Sequence, residues 1–127
     1  MTPPNDLPIG FSDDLITRHL KKRLYRSMND IWWNYGGYTV LIEAGRITDL
    51  ASTPRWGWSF IPPNGDYAKA TLLHDVLLEN GMDRVLADAM LLVAMKLENV
   101  NFFTRNLMFA AVRLNSIYMD AKNYLSR

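Results

Sequence analysis

Between Asp30 and Gly45 the chain reads "DIWWNYGGYTVLIEAG", with aromatic and β-branched residues on both sides of Gly36-Gly37. Such residues favour strands, and paired glycines supply the positive φ of a tight hairpin turn. Strands are therefore expected near 30–34 and 38–43. Beyond Tyr67 the apolar spacing lengthens to the helical period. One helix is expected over 67–79, stopped at Asn80-Gly81, where a left-handed residue ends a helix well. A second spans 83–97, with Leu86, Met90, Val93 and Leu97 on one stripe. A third runs from 103 to 118 or beyond, with Leu107, Ala110, Ala111 and Leu114 as its inner face. The short link at Gly81 makes the first two helices antiparallel neighbours. The pattern predicts an α+β fold: a small antiparallel sheet or hairpin followed by a bundle of about three helices.

The remaining segments are set by breakers and caps. Residues 1–12 hold three prolines and alternating Leu7, Ile9 and Phe11, an extended arm that lies on something. Ser12, followed by Asp13 and Asp14, has the composition of a helix start, and the β part is expected from 22 to 47. Residues 48–66 carry Pro54, Pro62, Pro63, Gly57 and Gly65, which exclude regular structure. Loops of this length in compact domains usually carry function. Trp56, Trp58 and Phe60 alternate within it, as a lid on the core or as an exposed aromatic patch. Length alone favours one domain over 1–127.

Composition narrows the classes. Hydrophobic residues make up 49% and charged residues 21%, as in ordinary folded chains. A formal net charge of +1 gives no global attraction to nucleic acid, so no nucleic-acid partner is expected. The absence of cysteine excludes disulfides, thiolate metal sites and a cysteine nucleophile. No apolar run approaches the ~18 residues of a spanning helix, and the N-terminus lacks a secretory pattern. Membrane contact is not the expected mode of action.

The chemistry concentrates in "TLLHDVLL", residues 71–78, where His74 and Asp75 interrupt an apolar helix. Asp88 lies seven residues after Gly81 and His74 seven before it, so an antiparallel pair sets them opposite one another. A carboxylate on one imidazole nitrogen fixes the tautomer and leaves the other nitrogen as base or ligand. Asp75, about 100° round the helix, points to an adjacent face. The loop adds Asp49, Ser52 and Arg55. Two readings stay open: a paired His inside the core, or His74 as base with Asp88, Ser52 and Arg55 around it and a divalent cation on Asp75 and Asp49. His19 and the run Lys21-Lys22-Arg23 read as solvated surface. Met82, Met90, Met95, Met108 and Met119 read as gap fillers.

Several motifs together resemble a small, mostly phage-encoded family of unknown function. They are Thr48-Asp49-Leu50-Ala51-Ser52-Thr53-Pro54-Arg55, Pro62-Pro63, Ala70-Thr71-Leu72-Leu73-His74-Asp75, Arg84-Val85-Leu86-Ala87-Asp88 and Ala111-Val112-Arg113. The resemblance covers about residues 25–115 and implies a phage or prophage source. Where that family carries H-D-Y-x-Y, this chain has Val76 and Leu78, and two hydroxyls are lost. The His-Asp helix also resembles the phospholipases A2. That resemblance implies His74 activating water, Asp75 ligating calcium with carbonyls of Pro62–Asp66, and Asp88 orienting His74. A zinc ion on His74 with Asp49, Asp75 or Asp88 is the other metal reading.

The resulting expectation is a structural or interaction protein of a bacteriophage, a tail or neck component of the virion or an assembly factor. Other phage proteins, or further copies of the chain, would be its partners, in the virion or the host cytoplasm. The alternative is a small metal-dependent hydrolase, phospholipase A2-like or directed at the cell wall, with His74 as general base.

Overall fold

The computed structural model describes residues 2–21, 24–49 and 67–126. The chain divides into two compact units, Met1–Leu50 and Ala51–Arg127. The first is all β and the second, in its described part, all α. This is the α+β arrangement expected from the hydrophobic pattern, with two three-stranded antiparallel sheets preceding three helices.

In the first sheet the order is β1 (Gly10–Phe11), β4 (Ile31–Tyr35), β5 (Tyr38–Ile42). The β4–β5 hairpin has Tyr35 opposite Tyr38. Gly36 and Gly37 form its two-residue turn with φ of 58° and 84°, the doubly positive geometry that matches strand twist. Alternate residues Ile31, Trp33, Val40 and Ile42 are buried on one face. The N-terminal arm does lie on a neighbour: Phe11 pairs with Trp33, ring centroids 4.7 Å apart, and the Asn34 side-chain amide donates to the carbonyls of Leu7 and Pro8.

The second sheet has the order β2 (Thr17–Lys21), β3 (Leu24–Ser27), β6 (Ile47–Asp49). Strand structure thus begins well before residue 22, and the helix start expected at Ser12 is not formed. Ser12 instead accepts the Trp32 backbone N–H at 2.9 Å. Asn29 accepts the Ile16 N–H and donates to the Asp14 carbonyl, tying the segment where a helix would have begun to the chain after β3. Local cap composition is worth only about 1 kcal/mol, and the chain instead forms an antiparallel ladder with β3, with a register shift between His19 and Lys21. His19 is exposed, with its ring against Tyr25.

The helices are α1 (Ala68–Glu79), α2 (Arg84–Leu97) and α3 (Phe102–Leu125). Gly81, at φ 87°, closes α1: its N–H donates to Leu78 O and that of Met82 to Leu77 O. Asn99, at φ 58°, closes α2 in the same way, with Asn99 N–H on Lys96 O and Val100 N–H on Met95 O. These paired bonds satisfy carbonyls that a helix end would orphan. Asn101 then caps α3 by accepting the Thr104 N–H at 2.8 Å. Among the described residues no helix is long and apolar enough to cross a membrane.

The buried faces of α2 and α3 differ from the stripes chosen on spacing. In α2 the buried residues are Ala87, Asp88, Leu91, Ala94 and Met95, while Leu86 and Leu97 are exposed. In α3 they are Thr104, Met108, Ala111 and Ser116, so Ala111 lies inside as expected while Ala110 and Leu114 are exposed. Both helices carry apolar residues on more than one face, so periodicity permits either orientation. Packing buries the face that carries the small residues Ala87, Ala94 and Ala111.

Candidate functional site

The helix ends just described determine where the polar residues meet. The tight closure at Gly81 folds α2 back on α1, and the closure at Asn99 folds α3 back on α2. His74 therefore faces Asp88, with Nε2 2.6 Å from Oδ1. The other carboxylate oxygen accepts from Arg113 of α3, Nη1 to Oδ2 2.6 Å. One carboxylate is bonded to a side chain from each of the other two helices.

Burial grades across the three. The Asp88 side chain is 0% exposed, that of His74 12% and that of Arg113 25%. A fully buried carboxylate needs a nearby cation and donors for its lone pairs. Arg113, always protonated, supplies the charge, and both contacts are short as charge-assisted bonds are. Because the carboxylate only accepts, Nε2 of His74 carries the proton, and a neutral ring then has its lone pair on Nδ1.

Thr71, His74 and Asp75, at positions i, i+3 and i+4 of α1, share one side of a small pocket. Its other walls are Leu91 of α2 and Met108, Ala111 and Val112 of α3. The volume is about 30 Å³, enough for a water. Thr71 Oγ1 is turned back onto the Tyr67 carbonyl at 3.1 Å, so its hydroxyl proton is already used. Among the described residues, His74 and Asp75 thus line the pocket against apolar walls. At the edge of the helical unit, Lys69 and Glu98 form a separate ion pair at 2.5 Å.

Of the residues singled out in the sequence, His74 and Asp88 are in direct contact, and Asp75 lines the pocket beside His74. Ser52 and Arg55 lie outside the described residues, as do Pro62–Asp66, Trp56, Trp58, Phe60, Lys22 and Arg23. The backbone of Asp49 ends β6 opposite Leu24, and its side chain is outside the described set. Among the described residues no group of three or more His, Asp or Glu side chains is placed to hold a metal ion. Arg113 is the participant that sequence reasoning missed. It stood in view in Ala111-Val112-Arg113, and the usable signal was electrostatic: an aspartate inside a helical core calls for a cation on a facing helix.

In comparison with known families, the model described as "Protein of unknown function (DUF1353)" aligns with residues 28–112, about two thirds of the chain. The aligned span runs from the end of β3 to the residue before Arg113 and includes both His74 and Asp88. No curated protein and no solved structure matches the chain.

Proposed function

The chain belongs to the DUF1353 family, proteins of unknown function, and from that premise we propose that it is a structural or interaction protein of a bacteriophage. Its place is in the virion, at tail or neck, or in assembly, and its polar centre serves as a lock between helices. The observation that carries the reading is the carboxylate of Asp88, fully buried with both oxygens engaged by His74 and Arg113. A carboxylate so committed cross-links α1, α2 and α3 and fixes their register. Its charge is balanced inside the cluster by a guanidinium, which lowers what it can lend to a reacting imidazole.

Two further features support the reading. Val76 and Leu78 stand where the resembling phage family has tyrosines, so the chain after His74-Asp75 is apolar. The outer faces of α2 and α3 carry exposed Val85, Leu86, Phe102 and Leu114, apolar side chains suited to contacts with other chains. A locked bundle presents such faces at fixed geometry, and this is what an assembly component requires.

The hydrolase reading keeps one specific observation: His74 and Asp75 line the same pocket. There Nδ1 would act as base toward a water and Asp75 would hold a divalent cation, calcium or zinc. The test has two arms. Quantitative mass spectrometry of purified virions, and of assembly intermediates, should find the chain at fixed stoichiometry; absence from both refutes the structural reading. Turnover of phospholipid or peptidoglycan that is lost in His74→Asn, with the helical circular dichroism retained, would establish the hydrolase instead.

A further inference from the structure

The face of α3 opposite its buried side is a second, continuous apolar seam. Starting at Phe103, the residues Leu107, Ala110, Leu114, Ile117, Ala121 and Tyr124 follow at alternating steps of four and three. This is the 3.5-residue repeat of a helix that packs along another helix. All but the half-buried Leu107 are exposed, and Phe103, Leu114, Ile117 and Tyr124, with the flanking Tyr118 and Leu125, are 54% to 81% exposed. The buried residues Thr104, Met108, Ala111 and Ser116 occupy the other side of the helix. With 24 residues, α3 also outruns α1 and α2, which have 12 and 14.

We propose that this seam is a self-association surface, on which α3 of a second copy of the chain packs antiparallel. The area is adequate. Aromatic side chains bury about 150–250 Å² each; Tyr118 and Tyr124 with Leu114, Ile117 and Leu125 offer several hundred Å² per copy, approaching the ~800 Å² per partner of a standard interface.

Charge selects both the occupant and the direction. With Leu114 against the partner's Ile117, the same two-fold register sets Leu107 on the partner's Tyr124 and Ala110 on the partner's Ala121. It also sets the exposed Asp120 beside the partner's Arg113, twice per dimer. Arg113 can serve both ends: its bond to Asp88 uses one of five N–H donors, and a quarter of the side chain is exposed. In a parallel pair Asp120 would face the partner's Leu125 and gain nothing. The inference is independent of the virion reading, since a dimer is compatible with either function.

The test uses the full chain. Light scattering after size exclusion should give a dimer at tens of micromolar. Leu114→Glu/Ile117→Glu, at exposed positions and so without cost to the core, should raise the dissociation constant by about a hundredfold or more with unchanged helical circular dichroism. Direction is read by cross-linking, since the chain has no cysteine of its own. A mixture of Leu107→Cys and Tyr124→Cys chains should form the mixed disulfide, whose Cα atoms must lie within about 7 Å, while Tyr124→Cys alone should not link. A monomer at hundreds of micromolar, a dimer indifferent to the double glutamate variant, or efficient linking by Tyr124→Cys alone would each overturn the proposal.

Discussion

Replacing Asp88 by alanine tests whether the polar centre holds the helices together. The substitution removes the acceptor of two hydrogen bonds, leaving the His74 N–H and the Arg113 guanidinium without partners at the junction of three helices. Hydrogen bonds to charged groups contribute about 1.5–3 kcal/mol each. The Arg113 contact belongs in the lower part of that range, because the side chain is a quarter exposed and recovers some hydration. The expected loss is about 3–5 kcal/mol, the range for breaking one side of a buried pair, against a total stability of about 5–15 kcal/mol. The triple variant His74→Leu/Asp88→Leu/Arg113→Met provides the control. It removes every member, leaves no orphaned charge, and should recover to within about 2 kcal/mol of the parent or exceed it. Urea unfolding followed by circular dichroism at 222 nm is the assay, since every described helix lies in the C-terminal unit. A loss below about 1 kcal/mol in Asp88→Ala, or a triple variant no better than the single one, would refute the lock.

Two smaller changes probe the turns that bring these residues together. Gly81→Ala should cost about 1–2 kcal/mol, as a purely backbone effect, because an added Cβ meets nothing within 4 Å while φ stays at 87°; Gly81→Asn should cost less, and equal losses for the two would point to a steric cause. Asn101→Ala removes the acceptor for the Thr104 N–H and should lower stability by about 1 kcal/mol; restoration by Asn101→Asp, read in the same unfolding assay, separates capping from other effects.

The hairpin and the three helices were legible in the sequence because their signals are local. Gly36-Gly37 permits the turn whatever surrounds it, and Asn80-Gly81 ends α1 by its own backbone preference. From that closure the meeting of His74 and Asp88 follows by counting outward from the turn. Membership of a family of unknown function was legible as well. Strand β2 was not, because its partner β3 lies outside the window in which Ser12-Asp13-Asp14 reads as a helix start. The ladder with β3 and the Asn29 bonds outweigh that local preference.

What the sequence determined by itself was therefore the α+β order, the ends of the helices and the pairing across Gly81, all of which depend on backbone preference and short-range counting. Tertiary structure decided which apolar faces of α2 and α3 turn inward, since more than one face has the helical period and only packing against the neighbouring helices distinguishes them. That choice brings Arg113 onto Asp88, because a buried carboxylate requires a cation that spacing along one helix cannot reveal. It also leaves Leu114, expected inside, on the outer seam of α3, where a residue chosen for the core becomes a surface for another chain.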